Sequence, residues 1–177
     1  MTLRKHLFLD LEDTIITPVV EGWWNTELVN VEKVRAIMAE FKPDIVNIFS
    51  FALHGDLDRN NFTASGCRGM IEKAIGMPLS HIPIVENEII EMCCNTKWIS
   101  SDRVDFLDIR DFWGKHDGFR LAMQHTFQHT WKNHGNEIEV VFLDDDVINE
   151  NFEWPDLHVK GRIINIDSYE LPTSNPS

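Results

Sequence analysis

The sequence predicts an α/β fold built around a mainly parallel sheet. Short apolar runs of strand type alternate along the chain with longer segments that show helical periodicity. Strands separated by a helix pair in parallel through a right-handed crossover. Two of the apolar runs, Leu7 to Leu9 and Val140 to Leu143, lead directly into acidic residues. Ligands of parallel α/β sheets bind beyond the carboxyl ends of the strands, so these acidic residues mark the expected site.

The first strand, helix and strand are the clearest elements. The strand at Leu7 to Leu9 is followed by a helix with Asn30 as its N-cap, and apolar residues then recur at intervals of mostly three and four as far as Phe41. Pro43 ends this helix, because the residue before a proline disfavours the helical conformation. The next strand, Ile45 to Phe49, is short and rich in β-branched residues.

The rest of the chain gives fewer clear elements. A second helix is predicted over about Ala64 to Ile75, where apolar residues share a face and Gly76 provides a stop signal. The stretch from Glu86 to Phe112 fits neither period, and we interpret it as a small insertion over the site. The remaining predicted elements are an edge strand at Ile82 to Val85, a helix at Asp117 to Trp131, and strands at Glu137 to Leu143 and Gly161 to Ile166.

Length and composition predict one domain over residues 1–169. The chain of 177 residues falls in the usual range of a single domain, and its hydrophobic content of 43% supplies a substantial core. Residues 170–177 contain several turn formers and are expected to form a flexible tail. About forty residues separate Asp10 from Ser50. Once a loop and a helix are placed there, no room is left for a large cap domain.

Charge and cysteine usage restrict the partners and the compartment. The formal net charge of −13 and the pI of about 4.9 disfavour nucleic acid and anionic lipid as partners. We therefore expect a small molecule as the partner rather than a nucleic acid. No membrane partner is expected, because no apolar window approaches membrane length. Cys67, Cys93 and Cys94 form neither a disulfide framework nor a zinc pattern, which favours a reducing cytoplasm.

Polar side chains follow the predicted strands at the points where they end. Buried carboxylates cost desolvation energy unless a cation, hydrogen bonds or a partner offset it. Parallel strands would bring two acidic clusters to one edge of the sheet, so the sequence predicts a divalent-metal pocket there. The residues of interest are Asp10, Glu12 and Thr14, then Ser50, then Lys115 before the predicted helix, and finally Asp144, Asp145 and Asp146.

These residues, in this order, resemble the motifs of the haloacid dehalogenase (HAD) superfamily. Asp10 to Thr14 is similar to the first motif, an apolar strand followed by Asp-x-Asp-x-Thr or Val, with Glu12 in the second acidic position. Ser50 is similar to the hydroxyl residue of the second motif, and Lys115 to the lysine of the third. Phe142 to Asp146 resembles the acidic fourth motif. Response-regulator receiver domains gather similar groups, but their lysine comes last, whereas here the acidic cluster does.

The resemblance implies a Rossmann-like three-layer sandwich without a large cap domain, and a magnesium-dependent phosphatase. The implied partner is a phosphorylated small molecule, with a nucleic-acid end less favoured. Asp10 would attack phosphorus, and Glu12 would protonate the leaving group and then activate water. Ser50 and Lys115 would bind the phosphoryl oxygens. The implied Mg²⁺ ligands are Asp10, Asp145 and the backbone carbonyl of Glu12, with Asp144 and Asn149 as secondary candidates.

Glu12 is the main departure from the family pattern. Glutamate keeps the carboxyl group of aspartate but adds one methylene, which shifts its reach by about 1.5 Å. A misplacement of that order can lower the rate roughly 100-fold. Two interpretations therefore stay open: an active phosphatase, or a catalytically weakened HAD-like binding module that recognises a phosphorylated ligand or protein partner. Phosphoryl transfer to an acceptor other than water is a third.

Overall fold

A five-stranded sheet organises the part of the chain that the structure describes. The computed structural model describes residues 2–80, 115, 117–121, 123 and 137–173. The strand order is β2-β1-β3-β5-β4, with β4 antiparallel to β5 and the other pairs parallel. The elements, in chain order, are β1 (Leu3–Leu9), α1 (Val31–Phe41), β2 (Ile45–Ile48), α2 (Asp56–Ala64), α3 (Cys67–Ile75), β3 (Glu137–Asp144), β4 (Glu150–Trp154) and β5 (Val159–Asn165).

The register of the three inner strands places their carboxyl ends at one level. Leu9 of β1 is paired with Ile48 of β2 on one side and with Leu143 of β3 on the other. All three residues are fully buried. The residues that follow these strands therefore emerge side by side at the same edge. This confirms the predicted α/β class with a mainly parallel sheet.

Apolar clusters cover both faces of the sheet. Leu7 and Leu9 belong to a largely aliphatic cluster that includes Ile37 of α1 and Ile71 of α3. Phe8 points to the opposite face, as the alternation of side chains along a strand requires. There, Phe119 from a helical segment stacks on Phe142 of β3 with ring centroids 4.3 Å apart. Helical residues thus lie on both faces of the sheet, which is compatible with a Rossmann-like sandwich.

The helix predicted over Ala64 to Ile75 is wrong in its extent. Ala64 is the last residue of α2, and α3 begins only at Cys67. The chain turns at Gly66, which has a left-handed backbone with φ of 84°. The Ser65 hydroxyl accepts a hydrogen bond from the Cys67 N–H. Helix α2 has only a weak signal in the sequence, because Phe62 is its only buried residue and its apolar periodicity is correspondingly weak.

The antiparallel strand β4 was not predicted, and β5 begins two residues before the predicted start at Gly161. In β4, only Trp154 is buried. Phe152 packs partly against the aromatic cluster, and its ring stacks on Trp154 at 4.2 Å. Gly161 faces Phe152 across the β4–β5 pair. A Cβ atom at Gly161 would overlap the carbonyl oxygen of Val140, so this strand position requires glycine.

Several predictions fall outside the described residues. The edge strand at 82–85, the insertion at 86–112 and most of the helix at 117–131 lie there, although the described residues from 115 to 123 are helical. Leu79 forms a parallel bridge to Val46, and the Ser80 N–H donates to the Val46 carbonyl. The chain thus reaches the outer edge of β2 just before residue 82. Within the described ranges, none of the helices combines the length and apolar character needed to span a membrane.

Candidate active site

The site is formed where β1, β2 and β3 end. Asp10 follows β1 directly, and its backbone N–H donates to the carbonyl of Leu143 in β3 at 2.9 Å. The N–H of Phe49 donates to the carbonyl of Leu9 at the same distance. These two bonds continue the sheet pattern beyond the ends of the strands. They hold Asp10, Ser50 and Asp144 at one edge, as the strand-end pattern predicts.

A buried ion-pair network lies at the centre of this edge. The Lys115 Nζ atom is 2.8 Å from Oδ2 of Asp144 and 3.4 Å from Oδ1 of Asp10. It also lies 4.7 Å above the ring of Phe51. Only 4% of Asp10 and none of Asp144 is exposed to solvent. The lysine therefore supplies the positive charge that two buried carboxylates require.

The network and its burial shift the pKa of Asp10 and of Lys115. Burial raises the pKa of Asp10, the charge of Lys115 opposes this shift, and the charge of Asp144 adds to it, with a net increase. For Lys115, burial lowers the pKa, but the charges of Asp10 and Asp144 outweigh burial, so the net shift is upward. Lys115 therefore stays protonated. Asp10 gains a proton more readily than an ordinary aspartate when no further cation is present.

Thr14 links the two acidic clusters. Its hydroxyl oxygen lies 3.5 Å from Oδ2 of Asp10 and 3.4 Å from Oδ1 of Asp145. Thr14 is fully buried. The hydroxyl carries one proton, so it donates to one carboxylate at a time. Burial, together with the charge of Asp144, raises the pKa of Asp145. Carboxylates of two distant sequence segments thus share one small polar space.

Three of these carboxylates could hold a metal ion. One oxygen from each of Asp10, Asp144 and Asp145 lies within 4.8 Å of the others. Carboxylate oxygens are the hard ligands that Mg²⁺ and Ca²⁺ prefer. A divalent cation would also offset the burial and the carboxylate repulsion that together raise the pKa of Asp10 and Asp145. The donor set therefore fits a hard divalent cation.

The turn after β1 is fixed by its own backbone and by Asn30. The N–H groups of Thr14 and of the two residues after it all lie within hydrogen-bond distance of the Leu11 carbonyl. Asp13 has a left-handed backbone with φ of 59°. The Asn30 side chain donates to the carbonyls of Asp13 and Thr14 at 3.1 and 3.2 Å. Asn30 precedes α1 as predicted, but its side chain makes no capping bond and instead braces this turn.

Glu12 lines the pocket with its carboxyl group already engaged. Its Oε2 atom accepts a hydrogen bond from the backbone N–H of Val19 at 2.7 Å. Val19 begins a short 3₁₀ turn, so the carboxylate sits at the start of that turn. This bond links the acidic turn to the loop that follows it. For proton transfer, the carboxyl group of Glu12 must contact the substrate either while it stays bonded to the Val19 N–H or after it leaves that N–H.

The loop after β3 is held by a residue that sequence reasoning missed. The Asn165 side chain donates to the carbonyls of Asp145 and Val147 at 3.2 and 2.9 Å. Its oxygen accepts bonds from the N–H groups of two residues just after β5. Asn149 was a secondary metal candidate, but its Oδ1 atom accepts the Asn165 N–H at 2.7 Å. The only available signal was an asparagine at the end of an apolar strand run.

An open pocket of about 270 Å³ lies over the network. Ser50 is 1% exposed, and a hydrogen bond from its side chain to Asp10 favours the ionised carboxylate. Asp144 lies below the pocket, fully buried. The structure thus brings the predicted site residues together. The described residues that line the pocket, predicted or not, are Asp10, Glu12, Asp13, Pro18, Ser50, Phe51, Ala52, Lys115, Asp145 and Asp146.

Comparison of the chain with models of known protein families, with curated protein sequences and with solved structures finds no match.

Proposed function

We propose that the chain is a Mg²⁺-dependent phosphate-ester hydrolase with a HAD-like fold, acting through an aspartyl-phosphate on Asp10. The observation that carries this proposal is the convergence of three carboxylates, a hydroxyl and a lysine in and directly beneath one open pocket. Phosphoryl transfer requires a nucleophile, neutralisation of the phosphoryl charge and groups that position the phosphoryl oxygens. Each requirement has a matching side chain here.

Asp10 is the proposed nucleophile. One of its carboxylate oxygens attacks phosphorus, the bond between phosphorus and the ester oxygen breaks, and an aspartyl-phosphate forms. Asp10 is held for this step by its backbone bond to Leu143 and by the hydroxyl of Thr14. The site carries a second carboxylate of similar burial, Asp144, but that group is the closer partner of Lys115. Asp10 is therefore the one left to react.

Mg²⁺ would be held by carboxylate oxygens of Asp10 and Asp145, with Asp144 behind them and the Glu12 carbonyl as a further ligand. When bound, it supplies positive charge that offsets the phosphoryl oxygens and the crowded carboxylates. Lys115 and Ser50 bind the remaining phosphoryl oxygens. Their positions at the pocket support this role.

Glu12 is the proposed proton carrier. It gives a proton to the leaving ester oxygen in the first step. Its carboxylate then takes a proton from water, whose oxygen attacks phosphorus and releases phosphate and free Asp10. The backbone N–H of Val19 donates a hydrogen bond to the Glu12 carboxyl group and so holds it at the pocket.

The second candidate function is a binding module that retains the cation but has lost most hydrolysis. The bond between Glu12 and Val19 favours this alternative, because it holds the carboxyl group against the protein backbone. Such a module would recognise a phosphorylated ligand or protein partner. A reducing cytoplasm is the proposed setting for either function, on the cysteine pattern of the chain.

Hydrolysis of p-nitrophenyl phosphate with and without Mg²⁺ tests the proposal. We expect Mg²⁺-dependent turnover, and a loss of about 1000-fold or more in kcat for Asp10→Asn. Asp156→Asn, an exposed aspartate just after β4, is the matched control and should keep full activity. Turnover that survives Asp10→Asn would contradict the mechanism. Absence of turnover in the wild type, with tight binding of inorganic phosphate, would favour the binding module.

A further inference from the structure

We infer that this pocket selects phosphate monoesters whose leaving group carries no negative charge, and that Asp13 and Asp146 impose this selection. The inference deepens the proposed function and rests on it. It concerns the part of the substrate that is not the phosphoryl group. The floor of the pocket is formed by Asp10, Ser50 and Lys115, and its rim by Asp13, Pro18, Ala52 and Asp146. The difference in charge between floor and rim supports the inference.

The described lining of the pocket is strongly acidic. Half of its ten residues carry a carboxyl group, and Lys115 is the only basic residue among them. Two of the carboxylates belong to the proposed cation site and one to the proposed proton carrier. The remaining two, Asp13 and Asp146, have no role in binding the phosphoryl group or the cation.

The one cation in this lining lies at the floor. The Lys115 side chain is only 15% exposed, and its ammonium group is paired with Asp10 and Asp144. The ring of Phe51 covers it from another side. This geometry allows contact with a phosphoryl group seated on the floor. It leaves Lys115 unable to compensate a second anionic group further out.

The two unassigned aspartates are exposed and fixed in place. The N–H of Asp13 donates to the carbonyl of Ile16 at 2.7 Å, and the N–H of Asp146 donates to Oδ1 of Asp144 at 2.7 Å. Because both residues are exposed and line the pocket, their carboxylates add negative charge at its opening, where the leaving group enters and departs.

The rest of the rim suits an uncharged group. Pro18 and Ala52 supply its apolar surface. A second anion would meet carboxylates without a facing cation in the described lining, whereas a neutral chain would contact these apolar groups. For partly exposed charges at this range, the discrimination should be about 5- to 10-fold at low ionic strength, and salt should reduce it.

A matched pair of phosphonates tests the inference without relying on turnover. Propylphosphonate and 2-carboxyethylphosphonate have similar size but differ by one negative charge. Calorimetric titration in the presence of Mg²⁺ should give a Kd about 5- to 10-fold lower for propylphosphonate. Raising the salt to 0.5 M should bring the two values within about twofold. 2-Aminoethylphosphonate should bind at least as tightly as propylphosphonate.

Variants assign the selection to the two residues. The double variant Asp13→Asn, Asp146→Asn should bind both phosphonates with Kd values within about twofold of each other. The double variant Glu137→Gln, Glu153→Gln removes two charges as well, from exposed positions at the opposite end of the sheet, and should keep the wild-type ratio. Glu137 starts β3, roughly 23 Å from the carboxyl end of that strand.

Equal Kd values in the wild type, or no measurable binding of either phosphonate, would overturn the inference. So would a ratio that the double variant leaves unchanged. If the preference holds while p-nitrophenyl phosphate is not hydrolysed, the proposed hydrolysis fails and the selection stands. If p-nitrophenyl phosphate is hydrolysed but the preference is absent, the selection fails and the hydrolysis stands.

Discussion

The acidic segments after β1 and β3 look alike in sequence but are held in different ways. The turn that carries Glu12 closes on its own backbone, through N–H groups that converge on the Leu11 carbonyl. The loop that carries Asp145 depends on Asn165, twenty residues further along the chain and on another strand. The first segment is therefore held by contacts within the connection between β1 and α1, including those of Asn30, and the second is held by a contact from another strand.

The two segments also differ in the burial and the pairing of their carboxylates. Asp10 is almost fully buried between Lys115 and Thr14, whereas Asp145 is partly exposed. A buried, compensated carboxylate suits a nucleophile that must be held rigidly, and a half-exposed one suits a ligand of an exchangeable cation. Changes in the first segment should therefore affect chemistry most, and changes in the second should affect cation binding.

After the loss expected for Asp10→Asn, the largest effect is expected for Glu12→Gln in the first segment. Glutamine keeps the shape of the side chain but cannot donate a proton to the leaving group or accept one from water. We expect kcat on an alkyl phosphate to fall by about 100- to 1000-fold. Mg²⁺ affinity should stay within about twofold of the wild-type value. Steady-state kinetics and Mg²⁺ titration provide the two measurements.

Glu21→Gln is the matched control for this change. Glu21 is an exposed glutamate on the same loop and ends the 3₁₀ turn that begins at Val19. It should keep kcat within about twofold. A fall in kcat of similar size in both variants would mean that loop charge, rather than proton transfer by Glu12, limits the rate.

An intermediate effect is expected for Lys115→Met, which removes the charge shared by the two segments. Two buried carboxylates then repel each other, and we expect the free energy of unfolding to fall by about 2–3 kcal/mol in metal-free protein at pH 8. A carboxyl group with a raised pKa in the folded state favours folding at low pH. The loss should therefore be smaller at pH 5.5, where Asp10 takes up a proton.

Urea unfolding at the two pH values measures this change. Adding Asp10→Asn to Lys115→Met removes one of the repelling charges and should restore more than half of the lost stability. If Asp10→Asn adds to the destabilisation instead, the ion-pair network does not govern stability at this edge.

The smallest effect is expected for Asn165→Ala, which acts on the second segment only. The variant loses the bonds to the Asp145 and Val147 carbonyls. We expect a loss of about 1–2 kcal/mol in stability and an approximately tenfold weaker Mg²⁺ affinity. Asn25→Ala, at an exposed asparagine bonded to the Glu21 carbonyl, should leave Mg²⁺ affinity unchanged. If both variants bind Mg²⁺ with equal affinity, Asn165 does not position Asp145 for cation binding.

The sequence was informative where local patterns determine structure. The inner strands and α1 follow from apolar runs and periodicity, and the parallel arrangement then places Asp10, Ser50 and Asp144 at one edge. The sequence was uninformative where distant contacts decide. No local pattern reveals that Asn165 holds the Asp145 loop or that Val19 engages Glu12. Strand β4 is stabilised chiefly by its pairing with β5. Because most of its residues are polar or exposed, its sequence lacks the apolar pattern typical of a strand.

Direct detection of a phosphoryl group on Asp10 tests the central claim of a covalent mechanism. Glu12→Gln protein mixed with p-nitrophenyl phosphate and Mg²⁺ should accumulate the intermediate, because this leaving group needs little acid assistance while water activation is lost. Acid quench followed by mass spectrometry should show one added phosphoryl group on the peptide that contains Asp10. The adduct should be absent in Asp10→Asn. Wild-type turnover with no adduct on this peptide, or with an adduct elsewhere, would contradict the mechanism.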